Sequence, residues 1–227
     1  MSVLSRMPKA VLFDLDGTLA DTSADLIASA NWCLERMGLA ERLDPVTDAA
    51  TAFRGARAML TLGLQRAGAF DAERVEEWYP KLLTAYGDAI CEETVLYPGA
   101  VEAVEALRGQ GIRVGICTNK PEGLAEELLR RLGVRDMFAA LVGADTLPVR
   151  KPDARPYVET VARVGGALRQ SLLVGDTDTD RKTAAAAGVP CILVTFGPTG
   201  EGVRALAPEG LIGHFDGLGS EVARLLG

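Results

Sequence analysis

The sequence predicts an α/β protein in which a parallel sheet is flanked by helices and an all-helical segment is inserted after the first strand. Two observations carry this. From residue 93 onward, short β-branched runs alternate with helical patterns, the arrangement of successive βαβ units. Between an equally apolar run at Ala10 to Phe13 and residue 93 no strand pattern occurs, although that stretch is far too long to be a loop.

The run from Ala10 to Phe13 is apolar at every position, as a strand buried on both faces must be, and is expected to lie centrally. Thr22-x-x-Asp25 then resembles a capping box, and Leu26, Ile27, Ala30, Leu34 and Met37 recur at helical spacing behind it. Met59 to Arg66 and Ala72 to Ala89 read as further helices. Residues 19 to 92 are therefore expected to form a helical domain inserted into a core of residues 1 to 18 with 93 to 227. The chain would pass between the two through the Asp21 region and the Thr94 to Gly99 segment, a natural hinge. The remaining expected strands are Val114 to Cys117, Ala140 to Val142, Leu172 to Val174 and Cys191 to Thr195, with Leu211 and Ile212 as a last edge.

Apolar residues make up 48% of the 227 and charged residues 24%, ordinary globular usage that excludes disorder and fibrous repetition. A net charge of −7 works against nucleic acid and anionic lipid as general partners, since both need clustered Lys and Arg. The longest uncharged stretch, Thr183 to Gly200, is broken by Gly188, Pro190, Gly197 and Pro198 and reads as buried sheet, not as a membrane span. No charged leader with an apolar core and cleavage site opens the sequence, so the cytoplasm is the expected compartment. Cys33, Cys91, Cys117 and Cys191 are far apart in apolar settings, with a single histidine, His214, and are expected to be buried free thiols. Oligomeric state is not legible.

Four segments carry chemistry, and each follows an expected strand. Asp14-Leu15-Asp16-Gly17-Thr18 places two carboxylates at the carboxyl end of the first strand, the edge where open α/β sheets bind ligands. Gly175-Asp176-Thr177-Asp178-Thr179-Asp180 gathers more acids at another strand end. An EF-hand loop needs Gly at its sixth position and Glu at its twelfth, and here these are Arg181 and Ala187. Helix capping would account for one acid but hardly for three. Carboxylates this close repel unless a cation lies between them, and Mg²⁺, a hard ion suited to one or two carboxylates and several waters, is the expected neutraliser. Thr118-Asn119 offers a hydroxyl and an amide to an anion, and Lys151, set in extended backbone by Pro152, supplies a fixed positive charge.

In order and spacing, Asp14-x-Asp16-Gly17-Thr18, Thr118-Asn119, Lys151-Pro and Gly175-Asp176-x-x-x-Asp180 resemble the four signatures of the haloacid dehalogenase superfamily, whose core is Rossmann-like. The likeness extends to its phosphoglycolate phosphatase branch through Asp14 to Leu26, Gly55 to Leu60, Cys117 to Pro121, Gly143 to Pro152 and Cys191 to Gly197. Phe53-Arg54 and Pro198 depart from that branch, which touches the substrate and not the chemistry. The resemblance implies a Mg²⁺-dependent phosphatase for a small anionic phosphate ester, most specifically phosphoglycolate. Asp14 would be the nucleophile and Asp16 the general acid and base. The metal would rest on Asp14, the Asp16 carbonyl and Asp176, supported by Asp180. Thr118, Asn119 and Lys151, with the Gly17-Thr18 turn, would hold the phosphate. The helical insert would be a cap that closes over the substrate. Its segment from Ala49 to Phe70 has Arg54, Arg57 and Arg66 and no acid, and Arg57 is expected to pair with a substrate carboxylate. Alternatives are a phosphatase or phosphomutase for a sugar phosphate, amino-sugar phosphate or pyrophosphate. Outside enzymes, the rival is a receiver-like phospho-acceptor, which takes its phosphoryl group on a later strand and has no such insert.

Overall fold

The computed structural model describes residues 8–227. The chain forms two compact units, one built from the segment ending at Ala20 together with Leu96–Gly227 and the other from Asp21–Val95. The strands are β1 (Ala10–Phe13), β2 (Ala20–Asp21), β3 (Val95–Leu96), β4 (Arg113–Cys117), β5 (Ala140–Val142), β6 (Ser171–Gly175), β7 (Cys191–Val194) and β8 (Gly210–Ile212). β2 and β3 pair with each other where the chain passes between the units. The other six form one sheet in the order β5-β4-β1-β6-β7-β8, parallel at every pairing.

β1 is central because nothing on it can face water: all four of its residues are fully buried. Val11 lies opposite Val114 on one side and Leu172 on the other. From β1 the chain builds outward through β4 and β5, then crosses to β6 and continues through β7 and β8. The order therefore reverses at β1, and the carboxyl ends flanking such a switch point form a crevice. Asp14, Thr118 and Asp176, each one residue past its strand, all emerge at this edge. Helices α5 (Ala100–Gly109), α6 (Glu122–Arg131), α7 (Ala154–Arg163), α8 (Asp178–Ala187) and α9 (Leu218–Leu226) complete this unit.

The second unit holds α1 (Ser23–Arg36), α2 (Ala49–Ala52), α3 (Ala56–Arg66) and α4 (Ala72–Asp88). Ile27, Ala30 and Leu34 of α1 share one apolar cluster with Met59, Leu60 and Leu64 of α3 and Val75 and Leu82 of α4. Two details differ from expectation. Asp25 does not serve a capping box: its carboxylate, buried in α1, accepts from the Glu93 and Thr94 amides at 2.9 and 3.0 Å and from the Thr94 hydroxyl at 2.6 Å. The start of α1 is served from outside the helix by Asp21, whose Oδ1 accepts from the Ser23 amide and hydroxyl. Asp25 thus ties the first turn of the unit to its last residues, a use invisible at helical spacing. None of the four cysteines forms a disulfide, but Cys91 is only half-buried, in left-handed backbone (φ 69°) at the turn before Thr94. No helix among the described residues is long and apolar enough to cross a membrane.

Candidate active site

At the end of β1 the Asp14 amide donates to the Val174 carbonyl at 2.9 Å, carrying the sheet ladder one residue further and fixing where the side chain starts. Asp14 Oδ1 accepts from the Leu15 amide at 2.8 Å, and Oδ2 lies 3.0 Å from Lys151 Nζ. The chain then folds tightly. The Thr18, Leu19 and Ala20 amides converge on the Leu15 carbonyl, and the Gly17 amide donates to the Ala20 carbonyl at 2.9 Å. Gly17 has φ +77°, a left-handed conformation in which a side chain would be strained. This turn presents Asp16.

The end of β6 is equally close-packed. A Cβ on Gly175 would sit 2.3 Å from Asp180 Cγ, so only glycine lets the first turn of α8 fold back onto the strand. Asp180 Oδ2 accepts from the Asp176 and Thr177 amides and from the Thr177 hydroxyl, while Oδ1 takes Lys151 Nζ at 2.6 Å. Both oxygens of Asp180 are therefore committed. Asp176 Oδ1 accepts from the Thr18 hydroxyl at 2.9 Å, but its Oδ2 is buried and accepts no hydrogen bond. Past β4, the Thr118 amide donates to the Val142 carbonyl at 3.0 Å, and Asn119 Nδ2 donates to the Lys151 carbonyl at 3.0 Å, tying two of the signature loops together.

Carboxylate oxygens of Asp14, Asp176 and Asp180 lie within 4.8 Å of one another. Burial pushes the Asp14 carboxyl up to about 6, opposed by Lys151 and by a hydrogen bond from Thr118 and assisted by Asp180. Burial, then Asp180 and Asp14, hold the Asp176 carboxyl well above the usual carboxylate range. Burial would pull the Lys151 ammonium down, yet Asp14 and Asp180 outweigh it and keep it protonated. Two lysines, Lys151 and Lys120, face four aspartates, so with every group ionised the site is formally two charges negative. An orphaned buried carboxylate oxygen and a deficit of two charges both fit a hard divalent cation held by Asp14 and Asp176.

A consequence follows for stability. An acid whose folded-state pKa is raised binds protons more readily when folded, so the Asp14 contribution is present at low pH. It is lost as the pH rises from about 3.8 through about 6. With chelator present, thermal stability is expected to decline across that window. A divalent cation should abolish the decline and add about 2.7 kcal/mol when its free concentration is about 100 times its Kd. Melting curves at several pH values, with and without cation, check both effects.

The structure brings Asp14, Thr118, Lys151, Asp176 and Asp180 together, but it reassigns other expected site residues. Thr18 is fully buried and spends its hydroxyl on Asp176, and the Gly17 amide is taken by Ala20, so these two build the turn and position a carboxylate. The Asp16 carboxylate is not in the acid cluster; its Oδ1 meets Lys120 Nζ at 2.9 Å. Any share of Asp16 in a metal site would fall to its main-chain carbonyl. Arg57 in α3 already has a carboxylate partner within its own unit. Its guanidinium grips Glu76 of α4 through Nε and Nη2 at 2.7 and 2.8 Å and stacks 3.5 Å over the Tyr79 ring. Arg66 is likewise bound to Asp48. Lys120 is the residue that sequence reasoning passed over, because a lysine before Pro121 looks like an ordinary helix start.

Comparison with known proteins agrees with this geometry. The family profile for haloacid dehalogenase-like hydrolases matches residues 8–188, which include every residue of the cluster. The chain belongs to that family. Among its haloacid dehalogenase-like relatives are a phosphoglycolate phosphatase of Mesorhizobium japonicum, 39% identical with 95% of each chain covered, and one of Agrobacterium fabrum, 40% identical with 91% of this chain and 89% of the other covered. The crystal structure of a predicted phosphoglycolate phosphatase from Haemophilus somnus superposes with a TM-score of 0.82 at 25% identity, covering 94% of this chain and 97% of that one.

Proposed function

We propose that this chain is a Mg²⁺-dependent phosphatase that hydrolyses phosphoglycolate to glycolate and phosphate by way of a phosphoryl group carried on Asp14. The observation that carries the reading is the Asp14, Asp176 and Asp180 cluster around Lys151 at the switch point of the sheet. The substrate rests on relatives 39 and 40% identical over nearly the whole chain that bear that name.

A phosphate ester resists attack because nucleophile and target are both anionic, so the site must supply positive charge where the phosphoryl oxygens gather. Mg²⁺ bound by Asp14, Asp176 and the Asp16 carbonyl would supply part of that charge. Lys151 supplies the rest from inside the protein, with the Thr118 hydroxyl and the Asn119 main-chain N–H as neutral donors. Asp14, with Oδ1 anchored on the Leu15 amide, attacks phosphorus: its bond to phosphorus forms as the bond to the leaving oxygen breaks. Asp16 gives its proton to that oxygen, then takes one from the water that attacks phosphorus and frees Asp14. Asp180, with both oxygens bound, holds Lys151 and the Asp176 loop in place.

The test is phosphate release from a panel of small phosphate esters with Mg²⁺. Phosphoglycolate is expected to give the highest kcat/KM. A sugar phosphate turned over tenfold better would replace the substrate assignment, and no release from any ester would end the enzymatic reading.

A further inference from the structure

We infer that Lys120 is a positioning residue for Asp16, setting the direction in which the proposed general acid meets the leaving group; the inference rests on the proposed role of Asp16. Lys120 is not a surface lysine. Its side chain is 3% exposed, and its Nζ lies 2.9 Å from Asp16 Oδ1. Burying an ammonium costs several kcal/mol unless a partner compensates, so a lysine in this position is held by that contact. The stem that delivers it is fixed at its root. The Lys120 amide donates to the Thr118 hydroxyl at 3.2 Å, and its carbonyl accepts from the Ala144 amide at 2.9 Å. Pro121 restricts the backbone of Lys120 from the other side. The neighbouring loop is packed against it so closely that a Cβ on Gly143 would fall 2.8 Å from the Lys120 carbonyl oxygen.

At the other end of the contact, Asp16 stands on the turn pinned by three amides on the Leu15 carbonyl. Its backbone is therefore fixed, and the rotation of the carboxylate is set by the contacts its oxygens make. A charge-assisted hydrogen bond to one oxygen sets the plane of the group and hence the direction of the other oxygen. Direction matters here because a proton donor must come within about 2.6–3.2 Å of the oxygen it protonates, and a misplacement of about 1 Å can cost on the order of 10²-fold. Lys151 does not perform this task, since it bridges Asp14 and Asp180. The two buried lysines thus divide the site: one faces the nucleophile and the acid cluster, the other the acid and base.

The distinguishing readout is dependence on the leaving group. Phenyl phosphate needs its departing oxygen protonated, whereas dinitrophenyl phosphate leaves as a stable anion, and neither carries a carboxylate that Lys120 could contact. In the Mg²⁺-loaded full chain, Lys120→Met should lower kcat/KM for phenyl phosphate by about 10²-fold and for dinitrophenyl phosphate by no more than about threefold. Lys120→Arg, which keeps a donor, should recover most of the loss. Asp16→Asn should show the same split, and Lys120→Met added to Asp16→Asn should cause no further selective loss. Equal losses on both esters for Lys120→Met, beside a clear split for Asp16→Asn, would overturn the inference and leave the acid role standing. An Asp16→Asn protein with no split would remove that role and the inference with it. Should Lys120→Met not fold, Lys120→Gln is read in the same way.

Discussion

Asp14→Asn is expected to reduce phosphate release by roughly 10⁴- to 10⁶-fold, the scale on which enzymes lose rate when a covalent nucleophile is removed. An amide matches the carboxylate in shape and can still accept from the Leu15 amide, but it is neutral and cannot hold a phosphoryl group. The same change should leave the fold intact or strengthen it. Burial disfavours the Asp14 carboxylate in the folded protein, and a neutral amide does not carry that cost. A melting temperature at or above wild type, alongside the lost activity, separates loss of the nucleophile from loss of structure. A folded Asp14→Asn protein that turned over normally would end the covalent mechanism.

Lys151→Met should damage both stability and rate. The ammonium is 1% exposed and bonded to Asp180 at 2.6 Å and Asp14 at 3.0 Å, so its removal leaves uncompensated carboxylates in a buried site. Breaking a buried pair from one side costs about 3–5 kcal/mol. At about 2–4 °C per kcal/mol for a chain of this size, that lowers Tm by roughly 6–20 °C. The deficit should be greatest near neutral pH and shrink on acidification, because protonating the carboxylates relieves the repulsion that Lys151 had offset. Activity should fall by about 10²- to 10³-fold, as when a preorganised donor to transition-state charge is lost. Calorimetry across pH, paired with phosphate-release assays, checks each part. A Tm unchanged from wild type at neutral pH would show that Lys151 is not the counter-charge of this cluster.

The core of this site was legible in the sequence because its parts are local. Each strand is a short apolar run that stops at one sheet edge, and the polar residue that stops it is the one proposed to function: Asp14 after β1, Thr118 after β4, Asp176 after β6. A parallel sheet then collects those stops at a single edge whatever the lengths of the crossovers. What could not be read is what depends on partners distant in the chain. The acid-free segment from Ala49 to Phe70 looks like an open row of cations in one dimension. In three dimensions Asp48 just before it and Glu76 on the next helix neutralise Arg66 and Arg57. Asp25 has helical capping spacing, but its partners are 68 and 69 residues away. Lys120 and Asp16 are 104 residues apart, and Thr18 and Asp176 are 158 apart. Spacing arguments see the periodicity of one element, and these contacts join the ends of different elements. Arg54, exposed at the departure from the phosphoglycolate phosphatase phrase, lies outside both arginine pairs.

The measurement that bears most directly on the account is the site of phosphorylation during turnover. Asp16→Asn protein is mixed with phosphoryl-labelled dinitrophenyl phosphate and Mg²⁺, quenched in acid, digested and mapped by mass spectrometry; this ester's departing oxygen needs no proton, so the phosphoryl group should arrive faster than the variant releases it. The label is expected on the peptide containing Asp14 and is expected to be absent when Asp14 is also changed to Asn. Label on any other residue, or phosphate released steadily by the variant with Asp14 never labelled, would contradict the account.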